Sequence, residues 1–225
     1  MPKDQFILLS LVPAGYLLGA IPFGLLVGLA KGIDPRKAGS GNIGATNIGR
    51  LLGGRFFAIV FVLDMLKSLL PMLVAGWIVH RFSAGATTPL TYLLWISVGV
   101  AAVLGHMFSV FLGFKGGKGV STAAGLLLGI YPYYTLPALA AIMVFIIVFR
   151  IWRYVSLAAI TAAGLFPLLH LAYMMLIARA PVFGPTWPLL AAAVLVAALI
   201  LVRHRSNIKR LIDGTEQGFR KPRGP

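Results

Sequence analysis

Residues 120–149 read VSTAAGLLLGIYPYYTLPALAAIMVFIIVF, thirty residues without a charged side chain. One helix crosses the ~30 Å hydrocarbon core with about 20 apolar residues, so this run is too long for one straight crossing and too short for two full ones. Tyr131-Pro132-Tyr133-Tyr134 interrupts it, because Pro132 removes a backbone donor and disfavours helix at Tyr131. The run is therefore expected to form a hairpin of two short helices, Val120 to Ile130 and Leu136 to Phe149. Outward from it, the other apolar segments are Phe6 to Ala30, Phe56 to Val79, Leu90 to Leu112, Ser156 to Ile177 and Pro188 to Val202. The expectation is an all-α, polytopic transmembrane helical bundle of about seven helices, one integral membrane domain over 1–225 with a mobile basic tail at about 217–225.

Charge supports the hairpin independently. With it, one side of the membrane receives Lys31, Arg36, Lys37, Arg50, Arg55, Lys115, Lys118, Arg150, Arg153 and the seven basic residues from Arg203 to Arg223, sixteen in all; the other side receives only Lys3, Arg81 and Arg179. A single crossing would send Arg150, Arg153 and the basic tail to the opposite side. The positive-inside rule then places the N-terminus outside and the C-terminus in the cytoplasm.

Composition agrees, with 59% hydrophobic and 11% charged residues, against about 25% charged in ordinary soluble domains. The net charge of +15 would suggest nucleic acid in a soluble protein. Here the basic residues gather at span ends facing anionic headgroups, and no aromatic-basic recognition module accompanies them. Nucleic acid is therefore not an expected partner. Lys3 ahead of an apolar run resembles a secretory signal, but that run is too long for one. The chain has no cysteine, which excludes a thioester intermediate, and neither acidic clusters nor a His-x3-His pair suggest a metal.

Three polar stretches carry the chemistry. Gly39-Ser40-Gly41-Asn42-Ile43-Gly44-Ala45-Thr46-Asn47 leads to Arg50. It matches G-x-G-x-x-G formally, but without a preceding strand the dinucleotide reading fails. What remains is exposed backbone N–H, hydroxyl and amide groups, and a bidentate phosphate donor in Arg50. The second stretch, His106 through Lys115-Gly116-Gly117-Lys118-Gly119-Val120-Ser121, is not a Walker loop, since Leu112 and Gly119 stand where glycine and Ser/Thr are required. Two ammonium groups and free N–H groups at the start of an apolar helix still make an anion site. An alanine Cβ at Gly117 is expected to crowd a ligand approaching the backbone. The third stretch is His204-Arg205-Ser206-Asn207 through Gly214-Thr215-Glu216, with His204 and Asn207 on one helical face. Asp64 and Lys67 lie within a span, where they either neutralise each other or line a transport path.

In order and spacing these three stretches resemble the motifs of the bacterial acyl-phosphate:glycerol-3-phosphate acyltransferases, PlsY. Leu63-Asp64-Met65-Leu66-Lys67 and Arg153-Tyr154-Val155-Ser156 are also similar to that family, although Ser68 replaces an expected glycine. The resemblance implies a multi-pass protein of the bacterial inner membrane with its site facing the cytoplasm. The implied reaction moves a fatty acyl group from acyl phosphate to the 1-hydroxyl of sn-glycerol 3-phosphate, with no cofactor. It implies Ser40, His106 and Lys118 as catalytic residues. Asn42, Thr46, Asn47, Arg50, Lys115, Gly116, Gly117, Gly119, Ser121, Ser156, His204 and Asn207 would bind the two substrates, and membrane lipids would surround the helices. His106, His204 and the donor's own phosphate remain alternative bases, and Ser40 an alternative transient acyl acceptor. No His is followed by Asp at the fifth position, unlike enzymes using acyl carrier protein or coenzyme A donors. An organic-phosphate transporter is the rival class. A phosphatidyl-alcohol transferase would need a multi-aspartate motif that the chain lacks.

Overall fold

The computed structural model describes residues 1–83 and 87–219, and among these every regular element is helical. The first apolar run is two helices rather than the single segment expected: α1 (Lys3–Ala20) and α2 (Phe23–Ala30). Pro22, which cannot donate to the preceding turn, separates them. The carbonyls freed at this break are used elsewhere, Ala20 O accepting from Ser109 Oγ at 2.6 Å and Ile21 O from Lys67 Nζ at 2.9 Å.

A short amphipathic helix, α3 (Ala45–Leu52), precedes α4 (Gly54–Phe82), α5 (Pro89–Met107) and a 3-10 turn at Val110–Leu112. Thr88 caps α5 by accepting from Thr91 N at 3.2 Å, as expected of a hydroxyl N-cap before a first-turn proline. α1 and α5 pack backbone to backbone. A Cβ on Gly19 would overlap Ala102 O, and one on Gly105 would overlap Tyr16 O. Small residues at such crossings are how helices associate where burial in lipid offers no hydrophobic gain.

The hairpin follows as α6 (Val120–Gly129) and α7 (Thr135–Trp152). Only α6 is short. At ten residues it extends ~15 Å, half the hydrocarbon thickness, whereas the 18 residues of α7 are long and apolar enough to cross. The longer arm reflects its end signal: helix continues past Arg150 and stops at Arg153, which takes a left-handed conformation at φ 60°. α8 (Val155–Ala172) runs into a π-helical turn at Tyr173–Ile177, and α9 (Trp187–Arg203) meets α10 (Arg205–Ile212) at a 60° bend. Among the described residues five stretches are long and apolar enough to cross a membrane, and six if α9 and α10 together count as one bent span.

The start of the basic tail makes contacts with the bundle. Gln217 O accepts from Arg50 Nη2 at 2.6 Å and Phe219 N donates to Arg153 O at 2.9 Å. The Phe219 ring lies edge-on to Phe57 and Phe149 at 5.4 and 5.9 Å. These contacts hold 217–219 against α4 and α7; residues 220–225 lie outside the described part.

Candidate active site

The site is assembled at one end of the bundle from four pieces of chain. The loop before α3 is pinned by Asn47, whose buried side chain accepts from Ser40 N at 2.9 Å and donates to Pro35 O, Ala38 O and Asn42 O at 3.1, 3.1 and 2.8 Å. Its amide is committed to shaping the loop. Asn42 Oδ1 accepts from Gly44 N at 2.8 Å and tightens the turn into α3, in the manner of Asx residues.

The glycine-lysine loop is the second piece. Gly116 N and Gly117 N donate to Met107 O and His106 O at 3.1 and 3.0 Å, folding the loop back on the end of α5. Arg203 of α9 holds it from the other side, with Nη2 donating to Gly116 O at 3.0 Å and Gly117 O at 2.8 Å. A Cβ on Gly117 would overlap Nε2 of His106. The expected crowding at Gly117 thus falls on His106, since the glycine's missing side chain is the space the imidazole fills. Gly119, with φ 83°, turns the chain into α6. The first N–H groups of α6 open beside Lys118 on the cavity wall, a favourable place for an anion.

Third, the end of the chain folds back over α10. Glu216 accepts from Ser156 Oγ at 2.6 Å and Asn207 Nδ2 at 2.8 Å through Oε1, and from Arg210 Nε at 2.8 Å through Oε2. Burial pushes its carboxyl up, but these three donors more than offset that and hold it below the ordinary glutamate value. Asn207, so oriented, accepts from Lys118 Nζ. Burial brings the Lys118 ammonium down to about 8; Glu216 opposes this shift while Arg210, Arg50 and Arg203 add to it.

The fourth piece is buried within the spans. Lys67 Nζ lies 2.8 Å from Asp64 Oδ1 and hydrogen-bonds Nδ1 of His106 at 2.8 Å and Ile21 O at 2.9 Å. The Asp64–Lys67 pair expected from the sequence therefore has a third member on α5.

These pieces surround a cavity lined by Ser40, Asn42, Thr46, Asn47, Arg50, His106, Lys118, Gly119, Ser121, Ser156, His204 and Asn207. Asp64, Arg210 and Glu216 line it as well, and were not among the residues singled out as a site in the sequence. Lys115 and Gly116 do not reach it; with Arg36 and Arg203 they line a neighbouring recess. Gly117 is buried beneath His106. Nε of Arg50 is buried without a partner among the described residues, an unsatisfied donor of the kind an oxyanion would complete. Phe61, Val120, Phe145 and Ala159 line both this cavity and an adjoining apolar groove. Ala123, Ala138, Ala141, Ala162 and Ala163 form much of that groove's wall.

Residues 9–214 match the family model for glycerol-3-phosphate acyltransferase. The chain belongs to this family. The glycerol-3-phosphate acyltransferase of Trichlorobacter lovleyi is 46% identical over 93% of this chain and 96% of that protein. Its Aquifex aeolicus counterpart is 43% identical over 94% and 98%. The crystal structure of PlsY, an integral membrane glycerol 3-phosphate acyltransferase, in its glycerol 3-phosphate form superposes with a TM-score of 0.77 at 41% identity, covering 95% of this chain and 96% of that one. Its lysophosphatidic acid form gives 0.75 at the same identity. The acyltransferase fold is thus shared along nearly the whole chain.

Proposed function

We propose that this glycerol-3-phosphate acyltransferase takes its acyl group from acyl phosphate and delivers it to the 1-hydroxyl of sn-glycerol 3-phosphate, giving lysophosphatidic acid and phosphate. The observation that carries the reading is that two unlike spaces adjoin and share a wall. A cation-lined cavity suits phosphate groups, and the alanine-walled groove that adjoins it suits a hydrocarbon chain. An amphiphilic donor with an anionic head needs both at once.

Arg50, Lys118, His204 and Asn207 would hold glycerol 3-phosphate, with Ser40 at the mouth of the cavity. The donor's phosphate would sit at the N-terminus of α6 beside Gly119 and Ser121, where N–H groups and Lys118 converge. The acceptor hydroxyl oxygen attacks the carbonyl carbon, the bond from that carbon to the phosphate oxygen breaks, and the hydroxyl proton is taken up by the departing phosphate, directly or by way of His204. Acyl phosphate is already activated, so positioning and charge stabilisation supply much of the rate. No step calls for a metal or nucleotide. The charge asymmetry between loops further supports a cytoplasmic site in the bacterial inner membrane. Cysteines at positions 41 and 206 should then react only from the cytoplasm and one at 184 only from outside.

A donor-by-acceptor activity panel on the purified protein tests the reaction. Acyl phosphate with glycerol 3-phosphate should be the productive pair. Turnover with acyl carrier protein or coenzyme A thioesters alone would overturn the donor assignment, and glycerol 3-phosphate uptake into vesicles without phosphate release would favour the transporter.

A further inference from the structure

The hydrogen-bond geometry around Lys67 fixes the protonation of a neighbour that faces the substrates. We infer that His106 serves the reaction as a fixed hydrogen-bond donor through Nε2–H, stabilising the oxyanion that forms on the acyl carbonyl, and that Lys67 and Asp64 are the residues that position it for this role. The oxyanion part of the inference rests on the acyl-transfer reading above; the tautomer does not.

An ammonium group has three protons and no lone pair, so every hydrogen bond it makes is a donation. Lys67 Nζ has three neighbours within reach, Ile21 O at 2.9 Å, Asp64 Oδ1 at 2.8 Å and His106 Nδ1 at 2.8 Å. Nδ1 must accept, which in a neutral imidazole puts the proton on Nε2. Charge balance points the same way. Lys67 and Asp64 cancel, while Arg203 of α9 also acts on the ring and Lys118 shares its cavity. An imidazolium would add a second positive charge beside Lys67, with the Asp64 carboxylate shared between the two. Asp64 Oδ1 stands 3.6 Å from Nδ1, beyond ordinary hydrogen-bond length, so the lysine is the nearer partner.

Nε2 has no hydrogen-bond partner among the described residues, and His106 lines the cavity. Gly117 makes room for the ring, since a Cβ there would overlap Nε2. An N–H held in a buried wall and aimed where negative charge develops is the arrangement that oxyanion stabilisation requires. A base needs the opposite, a bare nitrogen toward the hydroxyl. The proton of the acceptor hydroxyl therefore goes to the donor's phosphate or to His204. His204 directs Nδ1 at Ile200 O, 2.8 Å away, which leaves its Nε2 as the free acceptor.

The test uses the full-length protein in detergent with 15N-labelled histidine, the His106 signals being assigned by their loss in His106→Gln. Ring nitrogen shifts should report a protonated Nε2 and a bare Nδ1 across neutral pH, and Lys67→Met should move the proton to Nδ1. In assays, His106→Gln, which keeps an N–H near the Nε2 position, should stay within about tenfold of wild-type kcat. His106→Leu should fall by about 100- to 1,000-fold, as when an oxyanion donor is removed. Lys67→Met should lower kcat per folded molecule, the folded fraction being measured by size exclusion, while leaving the KM of each substrate within about threefold; loss of folded protein alone would leave kcat per folded molecule at the wild-type value. A protonated Nδ1 in the wild-type protein, or a folded His106→Gln as inactive as His106→Leu, would overturn the inference. Since the 15N pattern does not depend on the donor used, failure of the reaction assignment and failure of the tautomer assignment are read separately.

Discussion

The two ends of the α1–α5 pair both bury polar side chains, and they treat them in opposite ways. At the N-terminal end of α1, Asp4 accepts from Ser83 at 2.8 Å and from Thr91 at 3.4 Å, and Gln5 donates to Thr88 and Thr91 at 3.3 and 3.2 Å. These hydroxyls and amides answer one another. At the other end, among the described residues, Arg50 Nε lacks a partner, His106 lines the cavity and Lys118 donates to a neutral acceptor in Asn207. Saturated polar clusters fix helices together. Clusters with donors left over await a ligand, because an unpaired buried donor costs about 1–3 kcal/mol until something accepts from it.

Lys118 offers the largest contrast. Lys118→Ala should cut turnover more than tenfold with the protein still folded in detergent, since it removes a charge-assisted contact worth about 1.5–3 kcal/mol in binding and more in the transition state. Steady-state kinetics with each substrate varied in turn would show it, and near-normal turnover would break the contrast between the two ends.

Gly117→Ala should come next. Its new Cβ displaces the His106 imidazole, so kcat should fall several-fold while the KM values change less. A selective rise in the acyl phosphate KM would instead place the donor directly on this glycine.

A third effect is read in pH. Lys118 is charged below about 8 and loses its charge above, so the KM for glycerol 3-phosphate should climb as pH rises through that value. Bound dianion favours the ammonium form, so the break in kcat should lie at higher pH than the break in kcat/KM. Lys118→Arg, whose guanidinium does not titrate in this range, should flatten the rise.

The smallest effect on activity belongs to the saturated end. Asp4→Ala should lower stability by about 1–3 kcal/mol by leaving Ser83 and Thr91 with one acceptor fewer, yet leave turnover per folded molecule unchanged. Thermal unfolding in detergent together with an active-site-normalised assay would separate the two.

Much of this was visible in the chain itself because the signals are local. Pro132 and the basic loops mark the hairpin, and the glycine-lysine loop reads as a candidate anion site, of which Lys118 and Gly119 line the cavity while Gly116 and Gly117 spend their N–H groups on the end of α5. The first apolar run was less transparent. Hydropathy passes over Pro22, although the break there supplies the carbonyl that Lys67 uses. Distance along the chain hid the rest. Asp64 and Lys67 are recognisable as an i, i+3 pair, but His106 joins them from 39 residues away. Glu216 follows Gly214 in what reads as a polar tail, and it enters the site because Ser156 and Asn207 hold its carboxylate and Phe219 packs on Phe57 and Phe149. Such closures depend on which helices become neighbours, and no short window of sequence encodes that.

Mass balance tests the central claim most directly. Purified protein given acyl phosphate and glycerol 3-phosphate, in chelator and without nucleotide, should form one lysophosphatidic acid for each phosphate released, and neither when the acceptor is left out. Turnover that vanishes in chelator and returns with Mg2+, or phosphate released without an acylated product, would contradict it.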